Sequence, residues 1–425
     1  MLVRKRLDIS WADLLRAWFS ACCTDGPSAR SAKESIETAF GSETFAWPCL
    51  SVRTGFDATL AALALPPGSE VLTSALTIPG MLRIVEEHGL VPVPVEVDPL
   101  AAATSLAYVE RSLTSRTRAF LSASLFGARQ NLAPLADWSR ERGLVFLADE
   151  AQAFAGPAGY ATSPADVTLL SFGPIKTCTA LAGGVLLFRD QKLRDAAGES
   201  TARYSTQSSL GFAARAARFA AIKALGYAPV ADLAAASLRA VGRDPDAFAA
   251  QAAQSFPGDD FFRKIRRRPA PALMKTLARR LATFDARRIA DRAAAGKRLR
   301  ERIGPDFVVV GAEDPRMTYW TFPILVDDPW ATAAALRRRG FDATARSSLT
   351  LVNPPTGGDP SASDRTRAWF GRLIFLPFDV SYSRKRLDRL AEEFRRVARP
   401  FRPDLPEEAP SPGPRQTSMF ASAAS

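Results

Sequence analysis

Four polar residues stand just past the ends of two apolar runs, and their types suit covalent chemistry on an aldehyde cofactor. The run 143–148 stops on Asp149-Glu150-Ala151-Gln152, and the run 167–170 stops on Ser171-Phe172-Gly173-Pro174-Ile175-Lys176. A third run, 184–188, follows closely. Short apolar runs bounded by turn residues suit strands buried on both faces, and ligands of such sheets gather beyond the strand ends. Asp149, Gln152, Ser171 and Lys176 are therefore expected in one crevice. Pyridoxal phosphate needs this set: a lysine amine condenses with its aldehyde, a carboxylate keeps the pyridine nitrogen protonated, and hydroxyls or backbone amides hold its phosphate. Taken singly, Asp149 would cap a helix, Ser171 would open a turn and Lys176 would face water. Their order and spacing favour the shared site.

Asp149-x-x-Gln152 after a buried strand, then Ser171-Phe172-x-Pro174-x-Lys176 and the pair Gly183-Gly184, resembles the DegT family of pyridoxal-phosphate-dependent (fold type I) nucleotide-sugar aminotransferases. The resemblance implies that Asp149 pairs with the pyridine nitrogen, Gln152 sits near the ring hydroxyl, Ser171 touches the phosphate and Lys176 carries the cofactor. Lys176 and Asp149 are the catalytic pair on that reading. The implied fold is α/β, the type I PLP-dependent aminotransferase fold, with a mostly parallel central sheet flanked by helices and a smaller C-terminal α+β domain.

Stepping upstream, Thr54-Gly55 opens an Ala/Leu-rich helical stretch. The first turn of a helix offers unpaired N–H groups and the positive end of a dipole, which suits a phosphate, although Thr54 would also serve as a plain cap. The resemblance implies a cofactor-phosphate contact at Thr54, Gly55 and Phe56, with Phe56 where the family has a threonine. Ile78 stands where the family places an aromatic ring that stacks on the cofactor. Arg266, in the basic run Arg263-Lys264-Ile265-Arg266-Arg267-Arg268, stands where the family has an asparagine that reaches the neighbouring subunit's cofactor; a solvated charge run is the competing reading. Arg346 is a weaker candidate for a substrate carboxylate or phosphate.

Composition sets outer bounds. The 425 residues are 47% hydrophobic, enough for one large α/β domain and a smaller one. The basic opening at Arg4-Lys5-Arg6 soon meets Asp8 and Asp13, so a signal peptide is not expected. Cys22, Cys23, Cys49 and Cys178 lack zinc-site spacing and suit reduced thiols in a cytoplasm, with Cys178 a small buried filler. A single histidine, His88, leaves little material for a Ser-His-Asp triad or a histidine-rich metal centre, and it suits a helix end. The net charge of +12 fits acidic partners such as nucleotide phosphates. No motif that reads nucleic acid accompanies it.

The expected order is an N-terminal helical arm over 1–34, a large cofactor-binding domain over 35–262 with a divergent helical insert at 200–262, a small domain over 263–400 and a disordered tail over 401–425. Prolines at 92 and 94 suggest a sheet edge or an irregular ladder for the strand over 90–98. In the stretch 210–225, Ala213, Ala217, Ala220 and Ala224 share one face, expected to pack inward. Phe212, Arg215, Phe219 and Ile222 would then face outward, onto a partner subunit or a membrane surface. Further strands are expected over 318–326 and 341–346, and one long helical region over 272–303.

By resemblance, the protein is a cytoplasmic homodimeric aminotransferase that moves an amino group from glutamate or glutamine to a keto sugar, nucleotide-linked, for polysaccharide or other glycan synthesis. One alternative keeps the cofactor and changes the reaction to sugar dehydration, although the dehydratases that resemble this family carry histidine in place of the lysine. Another is a non-catalytic regulatory or binding homologue, motivated by Ile78 and Phe56.

Overall fold

Two of the apolar runs lie side by side as parallel strands, and the third turns back against them. The chain's structure, a computed structural model, describes residues 2, 6–22, 26–225, 242 and 258–403. The tail from 404 onward and most of the later part of the 200–262 insert lie outside the described residues. In chain order the strands of interest are β1 (Phe45–Cys49), β2 (Glu70–Ser74), β3 (Leu76–Thr77), β4 (Val91–Val95), β5 (Thr117–Ala123), β6 (Val145–Asp149), β7 (Val167–Ser171) and β8 (Gly184–Phe188). Seven of them form one sheet in the order β1-β8-β7-β6-β5-β2-β4. The pairs from β4 through β7 are parallel, while β8 runs antiparallel to both β7 and β1. The two edge strands, β1 and β4, carry the prolines Pro48, Pro92 and Pro94, as expected of residues that cannot donate to a ladder.

Parallel strands end on the same edge, and this is what gathers the polar residues. β6 ends at Asp149 and β7 at Ser171, with Asp149 paired to Leu169 and Ser171 to the first residue of β8, Gly184. Helix α1 (Trp11–Cys22), α2 (Gly26–Ala39), α3 (Val52–Leu63) and α4 (Pro79–Glu87) flank the sheet. Helix α3 begins at the same edge, because β1 ends at Cys49 opposite Gly184. The approach is close: a Cβ on Gly184 would stand 2.6 Å from the Val52 nitrogen and 2.8 Å from the Ser51 carbonyl carbon. Glycine is required there by space rather than by backbone angle.

The C-terminal third differs from expectation in three places. The strand expected over 318–326 shortens to Phe322–Leu325, paired antiparallel with Leu373–Leu376. Its upstream half is instead tied across to the loop after β5, through Thr318 N–H to Gly127 O at 2.8 Å and Thr321 N–H to Phe126 O at 3.2 Å. The stretch 341–346 contributes only the isolated bridges Leu2 to Phe341 and Thr344 to Phe375. The region 272–303 is two helices, Pro271–Ala282 and Arg287–Ile303. Between them Phe284 turns its ring onto Phe154, 5.3 Å away.

The helix Ser209–Leu225 buries a different face from the one expected, keeping Ala213 inward and adding the two phenylalanines. Phe212, Ala213, Ala216 and Phe219 are buried, Ala217 is exposed, and Arg215 donates to the Leu181 carbonyl at 2.9 Å. Burying a phenylalanine removes far more apolar area than burying an alanine, so the aromatic side wins the interior. The arginine follows because a backbone carbonyl is there to receive it. No helix among the described residues is long and apolar enough to cross a membrane.

Adding one methyl at the β8–α3 contact tests this packing. Gly184→Ala drives a carbon into backbone atoms that cannot rotate away, and we expect a loss of about 1–3 kcal/mol, the usual cost of overpacking. Thermal unfolding should show a lowered midpoint, and an unchanged midpoint would contradict the close approach.

Candidate active site

Lys176 lies in the tight turn between β7 and β8, where its N–H donates to Gly173 O at 3.0 Å. A Cβ on Gly173 would stand 3.7 Å from Ser171 Oγ and 3.9 Å from Lys176 Cγ, so the hydroxyl and the lysine stem line one notch. The return to β8 is held by Ala180 N–H to Phe172 O and Phe172 N–H to Gly183 O, both 3.0 Å, with Cys178 and Leu181 at positive φ. Cys178 is buried as the filler expected, its N–H held by Asp8 at 2.7 Å, and burial pushes its thiol up to about 12.

Burial pushes the Lys176 ammonium down to about 8, with Asp149 drawing it back up and Arg53 depressing it further. Burial raises the Asp149 carboxyl, while the Ala151 N–H (3.0 Å), Lys176 and Arg53 pull it down. The lysine, the carboxylate and an arginine therefore share one poorly solvated space. Next along the chain, Glu150 is buried against the Ser124 hydroxyl, and burial lifts its carboxyl to about 7.

The remaining expected site residues fall in different surroundings. Gln152 Oε1 accepts the Phe126 N–H at 2.8 Å, which leaves its amide NH₂ as the end able to donate to a ligand. Helix α3 starts two residues before Thr54, with Ser51 as its cap. The Thr54 N–H goes to Ser51 Oγ at 3.2 Å and the Gly55 N–H to Ser51 O at 3.0 Å. Thr54 Oγ1 donates to Ile265 O at 2.8 Å, and Phe56 is wholly buried in the apolar cluster with Cys49, Val52 and Leu186. Ser51 thus takes both the Thr54 and the Gly55 N–H at the start of this helix. Ile78 caps the start of α4 and packs half-buried on the same cluster.

Arg266 is committed within the chain. Its Nε and Nη2 donate to Asp57 Oδ2 and Oδ1, each at 3.0 Å, and its Nη1 lies 3.1 Å from Glu87. His88, at the C-terminal end of α4 as read from sequence, and Tyr204 bind the same buried Asp57 at 3.1 and 3.2 Å. Within this chain the Arg266 guanidinium is paired with a structural carboxylate. Arg346 is exposed beside Trp330, 5.5 Å from its ring.

Two residues that sequence reasoning passed over belong to the crevice. Arg53, in the first turn of α3, lies against Gly80 of α4, where a Cβ would be 2.7 Å from its Nε. Burial lowers its guanidinium, and Asp149 partly restores it. Trp320 sets its ring under the lysine, 4.5 Å from Nζ to the ring centroid, and donates its indole N–H to Ile175 O at 3.2 Å. An arginine beside a Thr-Gly helix start and a tryptophan ahead of a strand were the available signals, and both read as ordinary surface and core positions.

This donor set fits pyridoxal phosphate. A partly desolvated amine near neutrality is nucleophilic, Asp149 supplies a half-buried carboxylate, and Ser171, the start of α3 and the Arg53 cation offer partners for a phosphate.

The model of the DegT/DnrJ/EryC1/StrS aminotransferase family matches residues 13–238. A curated relative, the UDP-4-amino-4-deoxy-L-arabinose–oxoglutarate aminotransferase of Shewanella sediminis (strain HAW-EB3), is 28% identical over 183 residues. That match spans 43% of this chain and 46% of the relative, under half the length of each. Among solved structures, sugar aminotransferase CalS13 from Micromonospora echinospora superposes with a TM-score of 0.61 at 17% identity, over 93% of this chain and 100% of that one. NtdA from Bacillus subtilis, solved with bound PMP, superposes with a TM-score of 0.62 at 15% identity, over 92% and 82%. At these identities the structural likeness establishes the fold.

Arg53 gives this crevice a measurable signature. Arg53→Met removes a cation from beside the amine and leaves the Asp149 charge uncompensated, and both changes favour the ammonium. The Lys176 pKa should rise from about 8 by about one unit. Residue-resolved lysine acylation of the cofactor-free protein reads it directly, and a fall or no change would place Arg53 outside the crevice.

Proposed function

The chain belongs to the DegT/DnrJ/EryC1/StrS aminotransferase family, and from that membership together with the Lys176 crevice we infer a pyridoxal-phosphate-dependent aminotransferase. Its amino donor is glutamate or glutamine, its acceptor a keto sugar carried on a nucleotide, and its working form a homodimer in the cytoplasm. The observation that carries the reading is the convergence of the lysine amine with Asp149 and the Trp320 ring at the carboxyl ends of β6 and β7. The sugar acceptor is supported by the Shewanella relative, a nucleotide-sugar aminotransferase by name. The excess of 56 Lys and Arg over 44 Asp and Glu suits a substrate bearing phosphates.

Pyridoxal phosphate, when bound, supplies an aldehyde for the amino group and a ring that withdraws electrons from the substrate bond being broken. The protein's own groups do the rest. Lys176 Nζ would hold the cofactor between turnovers and, once released, would take the proton from the donor's α-carbon as a base and, as the resulting ammonium, give it back on the far side of the amino nitrogen. An amine lowered to about 8 is neutral in a useful fraction near physiological pH, which an ordinary lysine at 10.5 is not. Asp149 would hold a proton on the ring nitrogen through its carboxylate. Ser171 Oγ and the start of α3 would orient the phosphate end. Gln152, fixed at its carbonyl end by the Phe126 N–H, would offer its NH₂ to the ring hydroxyl.

Replacing the two central groups separates attachment from turnover. Lys176→Ala should abolish both the yellow colour that pyridoxal phosphate gives the protein and glutamate-dependent amino transfer. Asp149→Asn should keep the colour and slow transfer about 10²–10³-fold, in line with the loss of one electrostatic stabiliser. Transfer that survives in Lys176→Ala would refute the assignment.

A further inference from the structure

Trp320 is bound to the Lys176 turn at two points and to the body of the protein at several more. Its indole N–H donates to Ile175 O, one residue before the lysine, while its ring lies under the lysine amine. The tryptophan is itself held rigidly. Thr318, two residues upstream, gives both its N–H (2.8 Å) and its hydroxyl (2.9 Å) to Gly127 O. A Cβ on Gly127 would stand 2.4 Å from the Trp320 nitrogen, and Gly127 has a φ of +106°. Tyr319, between them, is in the left-handed region at φ 47° and lies flat against Gly296, where a Cβ would stand 2.3 Å from its ring. The loop carrying Gly127 is anchored in turn by Gln152 through Phe126 N–H. A side chain fixed this firmly, with 8% of its surface exposed, places its ring face rather than offering it loosely.

We propose that Trp320 is the positioning residue for Lys176, its indole face holding the lysine amine in the crevice by cation–π attraction and thereby setting when that amine becomes available to the cofactor. The inference rests on the reading of Lys176 as the cofactor's lysine. The charged groups that also face the amine are Asp149 from β6 and Arg53 from α3. Asp149 favours the ammonium and Arg53 disfavours it, so the ring face is the neutral contribution that stabilises the cation without pairing with it. Trp320 in this role acts through Lys176, with no bond to be made or broken of its own.

The test compares Trp320→Phe, which keeps an aromatic face and loses the bond to Ile175, with Trp320→Met, whose adaptable side chain fills the space without a ring face. The full-length protein, free of cofactor and shown folded by its thermal transition, is labelled with trace acetic anhydride from neutral to alkaline pH, and the extent at Lys176 is read by peptide mass. A cation–π contribution of ordinary size predicts that Trp320→Met lowers the Lys176 pKa by about half a unit to one unit. Trp320→Phe should hold the pKa within about 0.3 unit of the parent, since the ring face remains. A pKa unchanged or raised in Trp320→Met overturns the proposal, for the indole would then contribute bulk or water exclusion alone. A pKa that falls equally in both variants also overturns it, because the Ile175 bond and not the ring would be responsible. The labelling needs no cofactor, so failure of pyridoxal phosphate to attach to the parent protein would count against the proposed function and leave this result standing.

Discussion

Withdrawing one lysine amine from water is the constraint on which the crevice depends. A desolvated ammonium is costly unless compensated, and here compensation comes from two sides, a carboxylate at the end of β6 and an aromatic face from the C-terminal third, with an arginine opposing both. The sum leaves the amine near the pH at which it can act as either base or nucleophile. None of the three partners is near Lys176 in sequence, so the fold has to bring them together. It does so with the one edge of a parallel sheet at which strand ends and helix starts coincide.

The supporting shell is continuous. Gln152 fixes Phe126, the adjoining Gly127 carbonyl receives both donors of Thr318, and the segment 318–320 delivers Trp320 to the lysine turn. On the opposite side Gly184 lets α3 begin against β8, and Gly80 gives Arg53 room to lie along α4. Small residues thus serve the site by allowing close approach, and Gln152, expected from sequence as a cofactor ligand, works here as a structural brace. Arg266 illustrates the converse. Its charge and position suggested an anion site, yet a buried Asp57 shared with His88 and Tyr204 claims it, because a buried carboxylate left without a cation would be expensive.

Sequence carried the parts of this structure governed by local pattern. β6, β7 and β8 were legible because continuous apolar runs stopped on polar turns, and the edge position of β4 was one of the two readings that Pro92 and Pro94 suggested. The strand-end positions of Asp149 and Ser171 were legible because each closes or follows such a run directly, and Lys176 falls in the turn that continues from Ser171. What escaped was set by contacts between distant positions. Trp320 reaches Ile175 across 145 positions, and nothing beside it marks it as other than a strand residue. Arg53 reads as a solvated helix start until Gly80 and Asp149 are placed around it. The helix Ser209–Leu225 carries apolar residues around much of its circumference, so periodicity alone could not say whether phenylalanine or alanine would face inward, and the larger area decided it.

The account turns on Lys176 being the residue that carries the cofactor, and one experiment addresses that directly. The protein is incubated with pyridoxal phosphate near pH 8, reduced with borohydride to make any covalent link permanent, and its peptides are mapped by mass. The account predicts a single stoichiometric pyridoxyl label on the peptide containing Lys176. A label scattered over surface lysines, or none on that peptide, would contradict it.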